Sequence, residues 1–120
     1  MHGLGELEAA IMDVLWRAPE PMKVREVLDE LNKHRNLAYT TVLTVLDNLH
    51  RKGWVDRERD GKAFRYESAL SRNEAAAKAL REVLTASGDP EGALLHFARS
   101  ASARETELLR KALPRKPRRT

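Results

Sequence analysis

The stretch Tyr39-Thr40-Thr41-Val42-Leu43-Thr44-Val45-Leu46-Asp47-Asn48-Leu49-His50-Arg51-Lys52-Gly53, with the short runs just after it, decides the fold. Val42, Val45, Leu46 and Leu49 recur at the spacing of one helix face, so 39–52 reads as a helix with those four as its buried stripe. Gly53 stands where a left-handed cap would end it. The period then changes. Residues 54–59 and 63–68 read as two short strands with Phe64 and Tyr66 alternating onto one face. Asp60-Gly61 between them is a strong two-residue hairpin signal, because both central positions of the favoured turn must tolerate positive φ.

Upstream, Leu4, Leu7, Ile11, Val14 and Leu15 predict a helix over 5–17, ended by Pro19 and Pro21. Val24, Val27, Leu28 and Leu31 predict a second over 23–32, followed by a polar link, 33–37. Three helices and a hairpin within residues 1–70 make a winged helix-turn-helix. Downstream, Ser71-Arg72-Asn73-Glu74 is a capping box opening a helix to about residue 87, with Ala76, Leu80, Val83 and Leu84 on one face. Asp89-Pro90 supplies the N-cap and first-turn proline of another, to about residue 101. Ser102-Ala103-Arg104-Glu105 opens a last helix carrying Leu108, Leu109, Ala112 and Leu113. The expected fold is therefore mainly α with a small antiparallel hairpin: a winged helix in 1–70, a three-helix region in 71–113 and a disordered basic tail in 114–120.

Composition narrows the classes of function. The 120 residues are 42% apolar and one-third charged, with no cysteine, so neither a disulfide framework nor a thiolate metal site is available. No apolar run approaches the roughly 18 residues of a membrane span, and the first residues lack the basic-then-apolar plan of a signal peptide. No membrane insertion and a cytoplasmic location are the expectations. His2, His34, His50 and His96 are dispersed, the serines at 71, 100 and 102 sit at caps or helix ends, and Gly3-Leu4-Gly5 lacks the strand and glycines of a nucleotide site. No enzyme, no cofactor and no metal are expected.

The net charge of +4 equals that of the tail cations Arg115, Lys116, Arg118 and Arg119. Ahead of them, residues 1–32 carry three basic and seven acidic side chains, and residues 33–65 eight basic and four acidic. The basic segment coincides with the third helix and hairpin. Taking away the buried stripe leaves Tyr39, Thr40, Thr41, Leu43, Thr44, Asp47, Asn48 and Arg51 on the outside of that helix. Three threonines in two turns are not explained by helix propensity. They do suit the major groove, where hydroxyls meet phosphates and base edges and apolar groups meet the thymine methyl. Arg57, Arg59, Lys62 and Arg65 around the hairpin tip suit the phosphate backbone. The pairing of helix and wing predicts a double-stranded DNA reader.

Leu7-Glu8-Ala9-Ala10-Ile11-Met12-Asp13-Val14-Leu15-Trp16, the run from Ala38 to Leu49, Arg51-Lys52-Gly53 and a wing containing Tyr66 resemble the penicillinase repressor family (BlaI/MecI, with the copper-responsive CopY branch) over about residues 4–113. The resemblance implies a repressor of genes such as those for β-lactam resistance, bound to operator DNA as a homodimer. It places Thr40, Thr41, Leu43, Thr44 and Asn48 toward the groove, although Leu43 and Asn48 stand where resistance repressors have basic side chains. It also implies release by a membrane-bound sensor protease, with the cut at His96-Phe97, where this chain has His in place of the family's Asn. The cysteine-rich tail of the copper branch is absent from this sequence.

Residues 71–113 are too few to build a core alone, yet they carry Leu80, Val83, Leu84, Leu94, Leu95, Phe97, Leu108, Leu109 and Leu113 in stripes. Two copies interleaving these residues would place two reading helices on a pseudo-palindromic operator. Two other uses of the fold remain. A winged helix serving protein contact has no need of four wing cations, and a ligand-sensing regulator of another winged-helix family wants a pocket that this aromatic-poor C-terminal half does little to line.

Overall fold

The computed structural model describes residues 1–114. In chain order these form α1 (Glu6–Arg17), β1 (Met22–Lys23), α2 (Val24–Leu31), α3 (Tyr39–Arg51), β2 (Val55–Asp60), β3 (Ala63–Ser68), α4 (Arg72–Ala86), α5 (Pro90–Ser100) and α6 (Ala103–Ala112). The basic tail from Arg115 onward lies outside the described residues. The chain divides into two compact units, residues 1–80 and residues from 81 onward. α4 begins in the first unit and ends in the second.

In the first unit α1 packs on α2, α3 and β3. Ile11, Met12, Val27, Val42, Leu46, Leu49, Val55 and Tyr66 are its largest fully enclosed side chains. Val45, expected in the stripe of α3, is only half-buried. The turn from α2 to α3 is closed by Asn32, whose side chain donates to Leu37 O at 3.0 Å and accepts from Leu37 N–H at 2.8 Å. That side chain therefore substitutes for a backbone ladder where the chain has none. Gly53, at φ +82°, follows the C-cap of α3 and turns the chain into β2.

The sheet has three strands in the order β1-β3-β2, all antiparallel. β1 was not expected. It is two residues long, too short to show alternation, and exists through pairing of Met22 with Tyr66 and Lys23 with Arg65. The hairpin turn also sits one residue later than expected. Asp60 pairs with Ala63, so Gly61 and Lys62 are the central residues rather than Asp60 and Gly61. Only Gly61 has positive φ, +66°, the pattern of a turn with glycine at its first central position.

α4 opens on the expected capping box: Ser71 Oγ accepts from Glu74 N–H, and Glu74 accepts from Ser71 N–H, both at 3.1 Å. Its inward face is not the expected one. Ala75 and Ala79 are buried, Ala76 is half-buried, and Leu80 is 63% exposed. The small side chains of this helix are the enclosed ones, while Leu80 and Val83 are exposed. Its start is pinned by Arg72, which pairs with Asp13 at 2.8 Å and lies 4.9 Å from the Trp16 ring centroid, while Trp16 Nε1–H donates to Leu70 O at 3.0 Å.

In the second unit α5 is capped by Asp89, which accepts from Gly92 N–H at 3.1 Å, and α6 by the Ser102–Glu105 box at 3.1 and 2.8 Å. Neither helix buries a single residue.

Candidate nucleic-acid interface

α3 separates its two sides sharply. Val42, Leu46 and Leu49 are fully buried, whereas Tyr39, Thr40, Thr41, Leu43 and Thr44 are all exposed, Leu43 at 39%. Ala38 at the N-cap offers no side-chain acceptor, so no cap side chain meets the leading amides of α3, although Thr41 N–H donates to Ala38 O at 3.1 Å. Farther along the helix, Asn48 is half-buried and its Oδ1 accepts from Arg51. Asp47 accepts from Arg57 of the wing at 3.0 Å.

The wing register sorts its cations. Arg57 faces Tyr66 and Arg59 faces Phe64 across the ladder, so these four side chains share one side of the hairpin. Arg65 pairs with Glu58 and lies on the opposite side, where it binds Asp60 at 2.7 Å, approaches Glu26 at 3.9 Å and donates to Pro21 O at 3.4 Å. The four wing cations are therefore not one cluster: strand alternation sets Arg65 apart from Arg57 and Arg59. Lys62, at the turn, is exposed. Arg65 holds the Asp60 carboxyl below the usual carboxylate range, chiefly by hydrogen bonding. The Tyr66 hydroxyl is buried and meets no partner at hydrogen-bonding geometry.

A groove of about 300 Å³ lies between the wing and the exposed start of α3, lined by residues that include Arg25, Tyr39, Leu43, Lys62, Phe64 and Tyr66. Arg25 was missed from sequence. It lies in the acidic segment 1–32 and was counted against that segment's charge, yet its guanidinium sits 5.4 Å from the Tyr39 ring centroid. Its place on the second helix, one step before the reading helix, was the available signal. Among the described residues no group of His, Asp and Glu is arranged to hold a metal, and no helix is long and apolar enough to cross a membrane.

The family model described as penicillinase repressor matches residues 4–115. The chain belongs to this family. It is 43% identical over 113 residues to the transcriptional regulator BlaI of Mycobacterium tuberculosis, spanning 92% of this chain and 82% of that one. The solution structure of the DNA-binding domain of the repressor BlaI superposes with a TM-score of 0.54 at 25% identity, covering 62% of this chain and 93% of the other. The Bacillus licheniformis BlaI monomeric form in complex with the blaP half-operator gives a TM-score of 0.50 at 25% identity, covering 59% of this chain and 85% of that chain. The protein is a transcriptional repressor with a winged-helix DNA-binding domain.

Proposed function

We propose that the chain represses transcription as a homodimer that reads a pseudo-palindromic operator with α3 in the major groove and the wing on the flanking backbone. The observation carrying the DNA contact is the exposure of Tyr39, Thr40, Thr41, Leu43 and Thr44 on a helix whose other side is sealed. Hydroxyl and apolar groups at the N-terminal end of such a helix are the chemistry of base-edge readout. Arg59 and Lys62 serve the phosphates; Arg57 and Arg65 are held by carboxylates and serve mainly the fold. A gel-shift with DNA from upstream of the protein's own gene tests this: a discrete complex surviving competitor DNA is expected, and no binding at low salt overturns the reading.

Dimerisation is supported by what the second unit leaves uncovered. Leu94, Leu95, Phe97, Leu108, Leu109 and Leu113 are between 42% and 65% exposed, as are Leu80 and Val83 on α4, while Leu84 is half-buried. So much apolar surface calls for a second copy in a soluble regulator. Sedimentation at micromolar concentration should give a dimer, and a monomer overturns that part. The location that fits this function is the cytoplasm.

Release by a sensor protease at His96-Phe97 is the corresponding proposal for induction. Both residues lie within α5 and are exposed, so an endopeptidase would reach the bond after local unwinding of that helix. Scission there separates α6 from α4. Mass spectrometry of the protein from induced cells should show a fragment ending at His96, and an intact chain during full induction overturns it.

A further inference from the structure

The wing carries an arrangement that base readout by α3 does not account for. Phe64 is half-buried, and two guanidinium groups from β2 gather on its ring, Arg57 at 4.3 Å from the centroid and Arg59 at 5.2 Å. Tyr66 meets the same ring at 6.4 Å and 65°, edge to face. Like charges brought to one ring repel, and only one of them is compensated: Arg57 pairs with Asp47 at 3.0 Å, whereas Arg59 is exposed and has no carboxylate partner among the described residues. An arginine one residue from the end of a strand ordinarily samples many rotamers, and ordering it on contact opposes binding. Here a flat aromatic face and an anchored neighbour restrict it beforehand.

We infer that Phe64 is a positioning residue for DNA binding, its ring holding the Arg59 guanidinium in place for a backbone phosphate. The attraction is that of a cation for the ring's negative face, which favours the planar guanidinium over an ammonium group. Asp47 contributes at second hand, by keeping Arg57 beside the ring. The inference rests on the DNA-reading function proposed above, and concerns a residue with no hydrogen-bonding group of its own.

The test uses the full chain and a fluorescein-labelled random-sequence duplex of roughly 20 base pairs, with anisotropy followed from about 50 to 200 mM salt. Arg59→Ala should weaken binding and flatten the salt slope by about one unit. Phe64→Leu, which keeps the apolar volume and removes the ring, should weaken binding about threefold to fivefold with a flatter slope, and Phe64→Tyr should bind like the parent. The double variant R59A/F64L should be no weaker than R59A, because the ring acts through that side chain. A parental slope in F64L, or losses that multiply in the double variant, overturns the inference. Should F64L fail to fold, Arg59→Lys carries the same question with the ring intact: a loss of about threefold supports positioning, and parental binding shows that charge alone matters. No binding by the parent at the lowest salt would instead remove the DNA-reading function.

Discussion

The first eighty residues and those after them put leucine to opposite uses. In the winged helix, Leu15, Leu28, Leu31, Leu46 and Leu49 are enclosed by α1, α2, α3 and the sheet. In α5 and α6 the same residue type faces outward, and neither helix buries anything. Both regions have amphipathic helices, so periodicity does not distinguish them. What differs is whether the same chain supplies the covering layer. A face that looks internal from sequence is completed by the chain itself in one region and lies uncovered in the other.

Truncating the two kinds of leucine should separate them most widely. Leu46→Ala removes a fully buried side chain and is expected to cost the winged helix about 2–5 kcal/mol, read as a lowered urea midpoint. Leu109→Ala should leave that midpoint within about 0.5 kcal/mol, because its side chain is 42% exposed. Equal losses would break the contrast. Next in size, Leu94→Asp should raise the dimer dissociation constant by tenfold or more, about 1.4 kcal/mol, in sedimentation velocity while leaving unfolding of residues 1–80 unchanged. An unaltered dimer would show that α5 is not covered by the second copy.

A third comparison lies within the winged helix, between reading helix and wing. Thr44→Ala should lower discrimination between operator and random DNA by about 1–3 kcal/mol in competition binding, while Arg59→Ala should weaken both alike. Indistinguishable effects would erase the division of labour between α3 and the wing.

The smallest effect concerns acid. The Arg72 hydrogen bond is the main cause holding Asp13 below the usual carboxylate range. For Glu8, burial pushes upward, but the Gly5 N–H and Lys52 outweigh it. Carboxyls with folded values below their unfolded ones stabilise the fold fully above about pH 5, and that contribution is lost as pH falls through the depressed values. Asp13→Asn should therefore lower thermal stability at neutral pH by less than about 1 kcal/mol and leave it unchanged in strong acid. A loss independent of pH would mean that the pair matters for packing rather than charge.

The helices were legible in the sequence because each states its period locally, and the last three state their caps as well: Ser71 with Glu74, Asp89 with Pro90, Ser102 with Glu105. The exposed threonine face of α3 followed from subtracting its stripe. What escaped was set by partners distant in the chain or by small size. β1 exists only because Tyr66 and Arg65 lie alongside it. Ala75 and Ala79 carry too little apolar area to outrank Leu80 and Val83 in a sequence pattern, yet they are the buried ones. The turn at Gly61-Lys62 was misplaced by one residue because Asp-Gly and Gly-Lys both satisfy hairpin rules, in different turn types. Arg65 was grouped with Arg57 by nearness in the chain, although alternation already set them on opposite faces.

Trp16 and Trp54 are the only indoles in the chain, and both tyrosines, at 39 and 66, also precede residue 80. Trp16 is held by Leu70 and Arg72, and Trp54 is buried. Intrinsic emission of this protein consequently originates in one half alone, and α5 and α6 are to be followed directly by circular dichroism or by a fluorophore placed beyond Arg81.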